Sequence, residues 1–67
     1  MQGTIHRLIR GKGFGFIQTE ARQYFFHHSE VRGIEFRQLT TGDVVEFQPV
    51  EEEEGKNPRA VEVSVVV

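Results

Sequence analysis

The hexapeptide Lys12-Gly13-Phe14-Gly15-Phe16-Ile17 constrains this chain more than any other stretch. Successive side chains of an extended strand alternate between faces. Phe14 and Phe16 therefore share one face, and Gly13, Gly15 and Ile17 take the other. A strand that needed only a core would not set glycine opposite its aromatics, because glycine weakens strands and packs nothing. Glycine does admit a close neighbouring backbone and allows a sharp bend in a small sheet. Two phenylalanines on one face of such a strand form a candidate stacking platform for nucleic-acid bases, each of which has a π-face. Standing alone, the hexapeptide reads as a core strand with two buried aromatics; its surroundings change that reading.

The remaining strands follow from alternation and turn signals. Thr4 to Ile9 is β-branched and apolar enough for a strand, and Gly11 breaks it. With Ile5 inward, Thr4, His6 and Leu8 face out, which places His6 and Leu8 beside Phe14 and Phe16. Gln18 to Gln23 reads as a turn. In Tyr24-Phe25-Phe26-His27-His28, Tyr24 and Phe26 share one face and Phe25 and His27 the other, so both faces have a use. Ser29 can cap a single helical turn. Gly33 to Gln38 reads as a loop holding Phe36, which either folds onto the core or stays available. Val44 to Gln48 and Ala60 to Val65 complete five strands, with a charged hairpin loop over Glu51 to Asn57 between them. Five short strands at regular spacing, with no helix of consequence, fit a small all-β barrel, closed or partly open. Its expected core is Ile5, Ile17, Tyr24, Phe26, Val31, Leu39, Val45, Phe47, Val61 and Val63, thin enough for marginal stability.

Composition bounds the function. At 67 residues the chain is one domain, 1–67, near the lower size for folding without staples. It has no cysteine, so disulfides and thiolate metal sites are excluded and a reducing cytoplasm is permitted. No apolar run approaches membrane-spanning length, and no basic-plus-apolar leader is visible. A net charge of −2 argues against binding duplex nucleic acid mainly through charge. That average hides an asymmetry: residues 1–37 carry +3 and residues 38–67 carry −5, so the half with the aromatic face is the positive one.

KGFGFI followed by YFFHHS resembles the two nucleic-acid-binding motifs of the cold-shock domain. That family is a five-stranded antiparallel OB-fold barrel that binds single-stranded RNA and DNA. The similarity runs from Gly3 to Val63 and keeps the family spacing from His27 through Phe47 without a gap. Matched onto this chain, the resemblance implies that Phe14, Phe16, Phe25 and His27 are stacking positions. It also implies that Phe36 is the loop aromatic and that Lys12 opens the first motif. The family usually has Lys-Trp-Phe-Asn where this chain has His6-Arg7-Leu8-Ile9, and His-Phe-Ser where it has His27-His28-Ser29. Arg7 can stack on a base and pair with a phosphate, although a solvated surface cation is the plainer reading. Leu8 offers contact area without π-stacking. Losing one good platform, at about 1–3 kcal/mol per base, implies weaker binding than a typical member has.

Other features are weaker. Adjacent in a strand, His27 and His28 should point apart, and only His6 shares a face with His27, so no metal site is expected. Protonation of His6, His27 and His28 near pH 6 would add positive charge to the groove, and affinity for an oligonucleotide would then rise from pH 7.5 to 6. Glu51 to Glu54 form a solvated loop or one that repels phosphate. Arg59 lies near the groove edge. The Val63–Val67 tail extends the last strand or offers an edge for pairing.

The reading is a module for single-stranded RNA or DNA with little sequence preference, RNA-chaperone-like, cytoplasmic and monomeric, with an edge-strand dimer as the other assembly. It has no cofactor, no small-molecule substrate and no membrane association. The alternative is a protein-interaction module on an OB-type barrel, using the altered flank, the acidic loop and the Val-rich edge. No nucleophile set, carboxylate pair or phosphate-cradling loop suggests an enzyme.

Overall fold

The computed structural model describes residues 1–50 and 58–66. Five strands are formed: β1 (Gln2–Ile9), β2 (Phe14–Gln18), β3 (Gln23–His27), β4 (Val44–Val50) and β5 (Arg59–Val65). They close into a barrel in the order β1-β2-β3-β5-β4. Neighbouring pairs are antiparallel except β3 and β5, which run parallel and meet at Phe25 and Arg59. Two single-turn 3-10 helices, His28–Glu30 and Phe36–Gln38, lie between β3 and β4. The charged stretch Glu51 to Asn57 lies outside the described residues.

The core is Ile5, Ile17, Tyr24, Phe26, Leu39, Val45, Phe47, Ala60 and Val63. Eight of these match the expected core, and the exchange of Val61 for Ala60 has a local cause. Val61 was expected inward, yet it is half-buried and Ala60 takes its place. β5 carries one extra residue opposite β4: Gln48 pairs with Val61 and Glu46 with Ser64, so Glu62 and Val63 together face Phe47. Glu62 adopts φ +52° there. A bulge shifts the alternation by one residue, so Ala60 and Val63 both reach the interior, three apart. Val31 is half-buried and packs against the core margin. Its backbone bridges Val63, and Arg32 N donates to Val63 O at 2.7 Å, so β5 is flanked by chain there as well as at Arg59.

β1 holds a second bulge. Ile5 faces Ile17 but Arg7 faces Phe16, which leaves His6 as the additional residue. From there onward the expected faces are exchanged. Leu8 lies across from Gly15 and packs against the core, while Arg7 and Ile9 lie across from Phe16 and Phe14. The expected placement of His6 and Leu8 beside the two phenylalanines is therefore corrected to Arg7 and Ile9.

Gly15 shows why this strand alternates glycine with phenylalanine. It lies across from Phe26 on β3, whose ring is fully buried. A Cβ at Gly15 would sit 2.8 and 2.9 Å from Phe26 ring carbons and 2.7 Å from Arg7 O. The Phe26 ring occupies the space that a side chain here would need. The inner side of β2 is thus filled from its neighbours, and its two phenylalanines stay on the outer side.

Candidate nucleic-acid interface

The outer face of β2 and β3 carries a contiguous aromatic patch. Their register is unbroken and sets Phe14 against His27 and Phe16 against Phe25. Directly opposed residues project to the same face, so all four side chains lie outside the barrel. Ring centroids of Phe14, Phe16 and Phe25 form a triangle with sides of 5.9, 5.3 and 6.0 Å. The three rings are half-buried and His27 is exposed. Edge-to-face and tilted contacts at this spacing hold the rings against one another and leave part of each π-surface to solvent.

The patch continues past the end of β3. His28 belongs to the first 3-10 turn and not to the strand, so the expected divergence of His27 and His28 is corrected: their rings lie 4.3 Å apart, tilted by 37°. His28 N donates to Gly13 O at 2.8 Å, and its ring fills the side-chain position of Gly13, where a Cβ would meet His28 Cδ2 at 2.6 Å. Gly13 has φ +73°, a conformation glycine adopts at little cost. The helical turn is capped by His27 and not by Ser29 as expected. Its Nδ1 accepts from Ser29 N at 3.3 Å and lies 2.8 Å from Ser29 Oγ.

Phe36 is half-buried, 6.0 Å from the Phe26 ring and 6.2 Å from the His28 ring. One side of it rests on the core and another borders a groove lined by Lys12, Gly13, His28 and Arg37. Sequence reasoning missed Arg10, which fixes this groove. Its guanidinium donates to Arg37 O at 3.0 Å and Leu39 O at 2.6 Å, tying the β1–β2 turn to the segment that carries Phe36. Ile9, across from Phe14, was also missed, because the β1 bulge that turns it outward has no local signature.

Two arginines border the patch on opposite sides. Arg7 lies across from Phe16 on β1, and Arg59 pairs with Phe25 on β5, where Phe25 N donates to Pro58 O at 3.1 Å. Both are exposed, as is Lys12 in the β1–β2 turn. Thus Phe14, Phe16, Phe25, His27, Arg7 and Arg59 share one surface, with Lys12, His28 and Phe36 at one end. His6 sits on the bulge, and Leu8 is turned inward. This arrangement offers π-faces and cationic margins. Among the described residues there is no group of three histidine or acidic side chains placed to hold a metal ion.

The comparisons agree with this geometry. The family model described as the 'Cold-shock' DNA-binding domain matches residues 1–66. The chain is 40% identical over 63 residues to the cold shock-like protein CspLB of Listeria monocytogenes, covering 92% of each chain. It is 38% identical to the cold shock protein CspA of Staphylococcus aureus, again over 92% of each. Among solved structures it is similar to the Drosophila Unr segment CSD456, with a TM-score of 0.75 and 30% identity over 98% of this chain and 26% of that one. The chain belongs to the cold-shock domain family, whose members are OB-fold barrels that generally bind nucleic acid.

Proposed function

We propose that this protein binds single-stranded RNA or DNA by stacking unpaired bases on Phe14, Phe16, Phe25 and His27, with further contacts at His28 and Phe36. The observation that carries this reading is the triangle of three phenylalanine rings on the outer face of β2 and β3, where a barrel with a complete core has no need of apolar area. Stacking is worth about 1–3 kcal/mol per base and tolerates any sequence. Lys12, Arg7 and Arg59 supply positive charge at the margins, where a phosphate chain passes. A protein that holds unpaired bases shifts the equilibrium away from base pairing without consuming ATP, which is RNA-chaperone activity.

Fluorescence anisotropy with labelled T-rich DNA and U-rich RNA tests this reading, with a duplex control at low and physiological salt. Selective binding of single strands that persists at physiological salt is the expected result. Equal binding of duplex and single strand, confined to low salt, would show nonspecific charge attraction and return the protein-interaction reading to the front.

A further inference from the structure

Most arginines of this chain are already engaged. Arg10 holds Arg37 O and Leu39 O, Arg32 donates to Ser29 O at 2.6 Å, and Arg37 pairs with Glu35 at 2.9 Å. Arg22 and Arg59 also have partners. The Arg7 guanidinium has no hydrogen bond or ion pair among the described residues, although its backbone is fixed in register across from Phe16 at the edge of the ring triangle. Among the described residues its guanidinium meets no acceptor, and its donors face outward to a ligand.

The position decides what those donors meet. Adjacent strands lie about 4.8 Å apart, so the base of the Arg7 side chain is displaced sideways from Phe16 by roughly the width of an aromatic ring. A base stacked on Phe16 lies parallel to that ring, and Arg7 approaches its edge. A guanidinium fork needs two acceptors side by side. Guanine supplies them as O6 and N7, adenine sets an acceptor beside a donor, and a pyrimidine has no N7. Cytosine N3 and O2 are a second pair of adjacent acceptors, but its single ring overlaps Phe16 less than a purine does, so guanine combines the acceptor pair with the larger stacking face.

We propose that Arg7 makes the subsite over Phe16 selective for guanine, so the platform reads one base by its edge while its other positions read none. This rests on the stacking reading above and adds a specificity to it. The single bulge at His6 is what delivers Arg7 to this face; without it, alternation from Ile5 would turn Arg7 inward.

The test uses the intact protein and labelled thymidine oligomers of about eight nucleotides, carrying one guanine, adenine or cytosine at each position in turn. 7-deazaguanine, which lacks the N7 acceptor, is placed at the best guanine position. Guanine at one position is expected to tighten binding by roughly 5- to 100-fold over thymine. The deaza base should return affinity to within about twofold of thymine. In Arg7→Lys, which keeps the charge and loses the fork, the guanine-to-thymine ratio should fall to about one, with circular dichroism confirming the fold. Thymidine binding with no guanine preference at any position overturns the proposal and leaves the stacking reading standing. So does a guanine preference that survives in Arg7→Lys. Failure of the wild type to bind any oligomer overturns both.

Discussion

The β2–β3 hairpin and the β4–β5 pair cover the same core and treat their outer faces in opposite ways. Inward, Ile17, Tyr24 and Phe26 on one side answer Val45, Phe47, Ala60 and Val63 on the other. Outward, β4 and β5 show Val44, Glu46, Gln48 and Glu62 to solvent, the mostly polar surface expected of a one-sided sheet. β2 and β3 instead show three phenylalanines in mutual contact and a histidine. The difference separates what the fold requires from what it carries. Inner faces are fixed by packing on both sides, whereas outer aromatic area on only one side needs an explanation outside the fold, and unpaired bases provide one.

Three substitutions probe this division, beginning with the largest effect. Phe26→Ala removes a ring that is 0% exposed and lies against Gly15 and Phe36. A loss of about 3–5 kcal/mol is expected, which in so small a domain abolishes the cooperative urea transition followed by circular dichroism. An unchanged transition would place Phe26 outside the working core. Gly15→Ala forces a Cβ against Arg7 O and the Phe26 ring and should cost about 1–3 kcal/mol by the same measurement. If the urea midpoint did not move, the Phe26 ring would have room to spare, contrary to the packing described. The smallest effect has the opposite sign. Glu62 sits at φ +52° in the β5 bulge, so Glu62→Gly should stabilise the protein by roughly 0.5–1 kcal/mol. A lower melting temperature in that variant would show that the bulge draws stability from the glutamate side chain itself.

Much of this architecture is legible in the residues. Glycine and phenylalanine in strict alternation identify β2 and its outer face, and Tyr24 through His27 identify the strand that uses both of its faces. What escapes local reading is a one-residue change of phase. The bulges at His6 and at Glu62–Val63 are imposed by closing a small barrel, and each exchanges the faces of every residue beyond it until the strand ends. For that reason alternation alone sets His6 and Leu8 where Arg7 and Ile9 lie, and Val61 where Ala60 lies. His28 escaped for a related reason: alternation predicts its direction only if the strand continues, and the strand ends at His27.

The most direct test compares stability and binding in one variant, Phe14→Ala/Phe25→Ala, which removes two corners of the ring triangle, and with them all three ring contacts, and leaves every core residue in place. If the outer face serves a ligand, affinity for a labelled T-rich single strand should fall at least tenfold, at about 1–3 kcal/mol per lost stack. The free energy of unfolding in urea should then fall by no more than the loss of the half-buried ring contacts, about 0.5–1.5 kcal/mol each. The contrary result is a variant that binds as well as the wild type but unfolds far more easily. It would assign the outer rings to the fold and contradict the separation of the two faces on which the account depends.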